Sequence, residues 1–208
     1  YTFHYLDVSS AGSYYYSFMA DPYFKDLFDT SDVRYALFEW DNLPGREGFL
    51  RYKKFKFKSN LIGDIVYMRA SEMVLIAAEG YARAGENDKA VAALNKLRTA
   101  RNAKLFSGND NGQLIAAILV ERRKELWGEG FALSDILRTQ GKVVRKSYLD
   151  AEGKPIQVEI VGADGKPKLV NGQGHRVIKF PDGSNFVENS PYYLFAIPYE
   201  ETVRNPNL

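Results

Sequence analysis

Four glutamates and two arginines in the middle of the chain have a spacing that would suit either catalysis or buried ion pairing. They are Arg69, Glu72, Glu79, Arg122, Glu125 and Glu129. Two carboxylates that flank an open cleft can hydrolyse a glycosidic bond, and Glu125 with Glu129 is the pair such a hypothesis would use. These glutamates, however, lie in segments rich in apolar residues and are accompanied by arginines that can neutralise them. We therefore expect structural ion pairs and no catalytic residue.

The arginine Arg122 imposes a specific requirement on its surroundings. The predicted helix that carries it has an apolar face formed by Ile115, Ile118, Leu119 and Leu126. Arg122 projects into the middle of that face, and a buried guanidinium without a partner costs several kcal/mol. At about 100° per residue, Arg69, Glu72 and Glu79 share one stripe of an earlier helix. We predict that Arg122 pairs with Glu72 or Glu79 across the helix interface.

Residues that could support other chemistry are sparse. The chain contains no cysteine, and its two histidines, His4 and His175, do not have the spacing of metal ligands. The segment 109–112 (NDNG) is too short for a calcium loop and fits a turn followed by a helix cap. No glycine-rich phosphate loop follows a strand, and no Gly-x-Ser-x-Gly elbow occurs. We expect neither a metal nor a cofactor.

Composition and charge narrow the classes of partner. A net charge of +2 over 208 residues gives no reason to expect a polyanion. The segment 51–58 (RYKKFKFK) interleaves lysine and phenylalanine and could hold single-stranded nucleic acid. The alternation over 54–58 also fits a half-buried strand, and we expect no nucleic-acid partner. No apolar run is long enough to span a membrane. The chain opens at Tyr1 without a signal-like segment, which predicts that it is part of a longer protein.

The pattern along the chain predicts a single domain, 1–208, with three regions. Residues 1–63 form an aromatic-rich region of loops with a short helix at 21–28. Residues 64–140 form a helical core, with helices at 64–84, at 87–100, from 109–112 to Gly128 or Gly130, and at 133–140. Residues 141–208 form a hairpin insertion and a tail, with a strand at 156–161 between two similar turn motifs.

The first two helices of the core match the pattern of a tetratricopeptide hairpin. Small residues at fixed positions allow the two helices to approach closely, and larger residues fill the remaining volume. The matching positions are Val74, Ala77, Ala78, Tyr81, Ala90 and Leu94. Only one clear copy is present, so the pattern predicts a repeat-like hairpin. The run 73–78 is apolar nearly all round, which is typical of a buried helix.

Four segments of the chain together carry a recognisable pattern. They are 67–81 (YMRASEMVLIAAEGY), 90–101 (AVAALNKLRTAR), 121–130 (ERRKELWGEG) with 135–138 (DILR), and 196–198 (AIP) with Glu201 and 205–208 (NPNL). In this order, over about 64–208, they resemble the carboxy-terminal part of the SusD/RagB family of outer-membrane nutrient-binding lipoproteins. Each segment alone is a weak signal, and the set is strong.

The resemblance implies a mainly α fold of tetratricopeptide-like helical hairpins with irregular loops and small β-hairpin insertions. It implies a binder of oligosaccharide, or in some relatives of peptide, rather than an enzyme. It also implies a surface-exposed lipoprotein of the outer membrane, attached through an amino-terminal lipid anchor that this chain lacks, with a SusC-like TonB-dependent porin as partner. An alternative is a helical scaffold within the same transporter complex, whose only ligand is another protein.

The segment 13–18 (SYYYSF) concentrates aromatic rings near the start of the chain. The resemblance implies that aromatic residues of this region build the ligand face, which makes Tyr14, Tyr15, Tyr16 and Trp40 the candidate ligand-binding residues. In an extended segment Tyr14 and Tyr16 face one way and Tyr15 the other, so at most two of the triplet share a platform. Packing in a core is the alternative for each ring, and it is the interpretation we favour for Phe18, Tyr23, Phe24 and Phe28.

Overall fold

The computed structural model describes residues 19–55, 67–195 and 199–204. Its helices are α1 (Pro22–Lys25), α2 (Ala70–Arg83), α3 (Asn87–Ala100), α4 (Asn111–Glu125), α5 (Phe131–Arg138) and α6 (Tyr199–Arg204). Its strands are β1 (Phe38–Trp40), β2 (Leu50–Tyr52), β3 (Gln157–Val161) and β4 (Pro167–Asn171), and they form two separate two-stranded antiparallel sheets. The expected mainly α fold with small β-hairpins is confirmed.

Helices α2 and α3 form a hairpin against which α4 packs. Ala78, Ala90 and Leu94 are completely buried at the contact, as the tetratricopeptide-like pattern predicts. Gly85 connects the two helices in a left-handed conformation, with φ at +80°, which a side chain would disfavour. Two positions of the pattern differ from the prediction: Tyr81 does not fill the hairpin, because 38% of its surface is exposed, and Ala77 is also exposed.

Only one face of α2 is buried, so the prediction of a helix buried nearly all round is wrong. Leu75, Ala78 and Ala82 face the core formed with α3 and α4. Met73 and Ile76 lie on the opposite side and are 46% and 50% exposed. Helices α3 and α4 both pack on the side of α2 that carries Leu75, Ala78 and Ala82, so Met73 and Ile76 face neither of them.

The helix boundaries follow local signals where such signals exist. The prediction for α3 is confirmed, and Asp110 caps α4 by accepting a hydrogen bond from the backbone N–H of Gln113 at 2.7 Å. Helix α2 begins at Ala70 instead of residue 64, because Arg69 has an extended backbone. Helix α4 ends at Glu125, ahead of the predicted stop at Gly128 or Gly130.

A second core consists mainly of aromatic rings from α1, β1 and β2. Phe24, Phe28 and Tyr52 are buried, and the ring of Phe38 stacks on that of Tyr52 with 4.4 Å between centroids. Trp127, just after α4, packs edge-on against Tyr52 at 5.1 Å and so joins the helical part to this cluster. The core assignment of Phe24 and Phe28 is confirmed, Tyr23 is half-buried, and Phe18 lies outside the described residues.

The prediction of a strand at 54–58 is wrong for its first two residues, and the nearest strand lies before them. Strand β2 covers Leu50–Tyr52, and Lys54 and Phe55 lie beyond its end, while 56–58 fall outside the described residues. Leu50 and Tyr52, two residues apart in β2, both face the aromatic core and are buried. This alternation sets the register of β2 against β1.

The insertion after α5 carries the β3–β4 hairpin. Val158 and Ile160 of β3 are buried, as the predicted alternation requires. The hairpin docks on the β1–β2 connection, where the backbone N–H of Gln173 donates to the carbonyl of Gly48 at 2.8 Å. A Cβ atom at Gly48 would lie 2.2 Å from the carbonyl oxygen of Asn171, so only glycine permits this approach.

Candidate functional site

Glu125, in the last turn of α4, is at the centre of a buried network of ion pairs. Its Oε2 accepts hydrogen bonds from Nη1 of Arg34 at 2.8 Å and from Nε of Arg101 at 3.0 Å. Its Oε1 accepts from Nη1 of Arg69 at 2.9 Å and from Nη2 of Arg101 at 2.7 Å. The carboxylate is 2% exposed. Three guanidinium groups therefore surround one buried acid.

A second group of charges lies one turn earlier on α4, around Glu121. Arg34 donates to Asp32 from Nε at 2.9 Å and from Nη2 at 2.7 Å, and the same Nη2 reaches Glu121 at 2.6 Å. The other oxygen of Glu121 accepts from Nε of Arg98 at 3.0 Å. Lys124 lies 3.2 Å from Asp32. The side chains of Asp32 and Glu121 have no solvent exposure, so this pairing is fully desolvated.

Glu129 extends the network beyond the end of α4. Arg69 donates to Oε2 of Glu129 from Nε at 2.9 Å, and its Nη2 lies 2.8 Å from Oε1. Lys54 forms an ion pair with Glu129 and also donates to the backbone carbonyls of Glu125 and Trp127, both at 2.8 Å. Arg69 and Lys54 thus hold the segment after α4 in place by bonding both its side chains and its carbonyl oxygens.

The predicted partner of Arg122 is wrong. Arg122 is buried, as expected, but it donates from Nε and Nη2 to Asp135 of α5, both at 3.2 Å. Glu79 is occupied elsewhere, by Arg138 and by Arg83 one turn along α2.

The change of partner follows from the first turns of α5. They bring Asp135 to the Arg122 guanidinium and place the ring of Phe131 5.8 Å from it. Arg138 also donates to Asp135 at 2.7 Å, so Arg122 and Glu79 belong to one chain of pairs without touching. Glu72 is half-buried and forms no ion pair with another described residue.

The pKa values of the network agree with its geometry. Burial by itself would raise the pKa of Glu125, but the hydrogen bonds from Arg101 and the charges of Arg101, Arg69 and Arg34 outweigh it and lower the pKa to about 2. Burial likewise opposes ionisation of Asp32, and its bonds from Arg34 still bring its pKa below the ordinary value. Burial lowers the pKa of Lys54 to about 8 in spite of Glu129.

This arrangement fits a structural role for the acids. A general acid must hold a proton near neutral pH, and Glu125, with a pKa of about 2, does not. Glu125 and Glu129 both bond Arg69 and face cations rather than an open cleft. Within the described residues no group of three or more histidines, cysteines, aspartates or glutamates could hold a metal ion.

Sequence reasoning missed several members of the network. They are Asp32, Arg34, Lys54, Arg98, Arg101, Glu121, Lys124 and Arg138. One signal could have found Glu121, since it lies one helical turn before Glu125 on the same face. No local signal marks Asp32 and Arg34, because they look like turn residues and their partners lie far along the chain.

The candidate ligand-binding aromatics fall in two groups. Tyr14, Tyr15 and Tyr16 lie outside the described residues. Trp40 lies in β1 and is half-buried, with its ring packed beside the aromatic core and 6.0 Å from that of Tyr148. Part of the indole surface of Trp40 remains accessible, and the structure does not bring this residue together with the ion-pair network.

The fold and the network define a helical-hairpin protein in which a buried layer of ion pairs joins a helical core to an aromatic core. Within the described residues no helix is both long and apolar enough to cross a membrane. Residues 41–208 match the sequence model of the SusD family, and the chain belongs to this family. The family membership predicted from the four segments is confirmed.

Two relatives show how this chain relates to known members. A crystal structure of a SusD-like carbohydrate-binding protein from Bacteroides vulgatus is 44% identical in sequence, with a TM-score of 0.85, over all of this chain and 44% of that chain. The SusD-like protein P38 of Formosa agariphila is 31% identical over 140 residues, which covers 58% of this chain and 28% of the relative. The chain therefore spans less than half the length of either relative.

Proposed function

We propose that this protein captures oligosaccharides at the cell surface and delivers them to a TonB-dependent transporter of the outer membrane. The observation that carries the proposal is the match, over the whole chain at 44% identity and a TM-score of 0.85, to a protein described as carbohydrate-binding. The network around Glu125 adds support, because it uses the most conspicuous acids for pairing and leaves a binder as the better interpretation.

The contacts to sugar would come from aromatic side chains. Sugars present apolar faces of C–H groups, and rigid rings bury such faces with little loss of rotamer freedom. We propose Tyr14, Tyr15, Tyr16 and Trp40 as ligand-binding residues. Trp40 has a suitable environment for this role, because β1 and the neighbouring Tyr148 fix one side of its ring.

The proposal extends to where the intact protein lies in the cell and to the transporter with which it acts. The intact protein would be attached to the outer face of the outer membrane by a lipid on a cysteine upstream of this chain. Its transport partner would be a SusC-like TonB-dependent porin, which it would cover. Co-purification of the porin with the intact protein, and labelling of the protein on whole cells, test these two points.

Calorimetric titration of the intact protein tests the ligand. The panel would contain plant, mucin and storage oligosaccharides together with peptides. We expect saturable binding to one class of glycan and a loss of about tenfold or more in affinity for Tyr15→Ala or Trp40→Ala. The matched control is Tyr81→Ala, which removes a partly exposed ring on α2. Binding of peptides alone would replace the glycan by a peptide, and no binding to any member would contradict capture.

The exposed side of α2 favours a second candidate function, a scaffold whose only ligand is another protein. Met73 and Ile76 lie three residues apart and place two half-exposed apolar side chains next to each other there. This alternative predicts that the intact protein co-purifies with the porin and binds no glycan. It also predicts that Met73→Gln with Ile76→Gln weakens the co-purification, whereas the capture proposal expects glycan affinity to be unchanged by that pair.

A further inference from the structure

The long loop between β4 and α6 contains a small aromatic cluster that lies outside both cores. Phe180 is buried at its centre, 8% exposed, with Phe186 edge-on at 4.8 Å and Tyr193 at 5.7 Å. The ring of Tyr192 stacks on Phe180 with 4.6 Å between centroids and 25° between planes. The hydroxyl of Tyr193 donates to the carbonyl of Val187 and accepts from the N–H of Val143, which ties the cluster to the segment after α5.

Tyr192 is held rigidly and yet remains 52% exposed. One face of its ring rests on Phe180, and its hydroxyl donates to Oδ2 of Asp182 at 3.1 Å. Its backbone lies in a 3₁₀ turn, Pro191–Tyr193, that begins at Ser190. The exposed surface is therefore a flat ring whose orientation is fixed before any ligand arrives, so binding there would cost little side-chain entropy.

A carboxylate lies at the edge of this ring. Oδ1 of Asp182 accepts from the N–H of Ser184 at 2.9 Å and from its hydroxyl at 2.7 Å, within a tight turn that Gly183 closes at a φ of +82°. The bonds from Ser184 lower the pKa of Asp182, so this acid is ionised at neutral pH. An ionised carboxylate has about four acceptor sites, and three are used here, so it can accept another hydrogen bond beside the ring.

We propose that Tyr192 and Asp182 form a binding subsite for one neutral pyranose unit of an oligosaccharide. The apolar face of the sugar would stack on the exposed face of Tyr192, and one of its hydroxyl groups would donate to Asp182. This subsite rests on the proposed capture of glycans and adds residues to it that the sequence did not point to.

The charge beside the ring selects among ligands that stack. Nucleotides also stack on tyrosine, but their phosphates would be repelled by Asp182. Acidic sugars are disfavoured for the same reason. A neutral sugar brings both an apolar face and hydroxyl donors, which are the two features that the site can use.

Titration of the intact protein with the glycan that binds it best tests the subsite. We expect Tyr192→Ala to weaken binding about tenfold and Asp182→Asn to weaken it several-fold, because each removes one of the two contacts. Tyr192→Phe keeps the stacking ring and should stay within about threefold of the wild type. Tyr81→Ala is the matched control, since it removes another partly exposed tyrosine and should leave the affinity unchanged.

A second measurement does not depend on how the variants fold. Nitration of Tyr192 in the wild type, followed by mass spectrometry, should slow when the glycan is present at saturating concentration. Saturable binding with Tyr192→Ala within about twofold of the wild type, and with no protection from nitration, would overturn the subsite and leave glycan capture intact. Absence of binding to every glycan would overturn both.

Discussion

Replacement of Glu125 by glutamine tests the ion-pair network most directly. The amide keeps the size of the side chain but removes its charge and turns one acceptor into a donor. Four hydrogen bonds from Arg34, Arg69 and Arg101 end on this carboxylate, which is 2% exposed. Removing one partner of a buried pair costs about 3–5 kcal/mol, since the remaining charges stay desolvated. We expect Glu125→Gln to lower the free energy of unfolding by that amount.

The pKa of Glu125 gives a second estimate of the free energy that this carboxylate contributes to folding. Its value falls from 4.5 to about 2 on folding. Linkage then assigns the carboxylate about 3 kcal/mol of stability, which agrees with the first figure. Because the folded pKa is the lower one, this contribution is present above about pH 4.5 and is lost as the pH falls towards 2. Wild-type protein should lose it over that window, and Glu125→Gln should lack this part of the pH dependence.

Urea unfolding followed by circular dichroism, at pH 7 and at steps down to pH 3, measures both effects. The matched control is Glu39→Gln, since Glu39 pairs with Lys53 at 3.2 Å but is 51% exposed. An exposed pair of this kind contributes at most about 1 kcal/mol. The assigned role of Glu125 is refuted if Glu125→Gln lowers the free energy of unfolding at pH 7 by no more than Glu39→Gln does. It is also refuted if the wild type and Glu125→Gln lose equal stability below pH 4.5.

Two further predictions concern single contacts elsewhere in the fold. Gly48→Ala should destabilise the protein by at least about 2 kcal/mol more than Gly45→Ala. Both glycines have a positive φ, but only a Cβ atom at position 48 would meet a carbonyl oxygen, at 2.2 Å. Equal urea midpoints for the two variants would contradict the close approach of the β3–β4 hairpin. Asp135→Asn should lower the free energy of unfolding by about 2 kcal/mol, since it leaves Arg122 buried without its acid. Glu72→Gln should change it by no more than about 0.5 kcal/mol. The reverse order of the two variants in thermal denaturation would restore Glu72 as the partner of Arg122.

The sequence predicts those parts of the fold that depend on local signals. Helix α4 begins within the predicted segment 109–112 because Asp110 caps it by accepting a hydrogen bond from the N–H of Gln113. Helix α2 begins late because Arg69 is extended and bonds Glu125, which is 56 positions away. Asp32 and Arg34 resemble an ordinary turn, and their role follows from Glu121, which lies 87 positions after Arg34. Such pairings depend on how distant segments pack, which one sequence does not reveal.

The position of the network on α4 gives the buried charges of this chain a structural role. Leu114 and Ile118, in the first half of α4, belong to the helical core, while Trp127, after its end, packs on the aromatic core. Glu121 and Glu125 lie between them. Apolar contacts tolerate small shifts of the aromatic core against the helical core. The hydrogen bonds from three guanidinium groups to one carboxylate form only in a narrow range of geometry. The charged layer therefore fixes how the aromatic core, against which Trp40 packs, is oriented on the helical core.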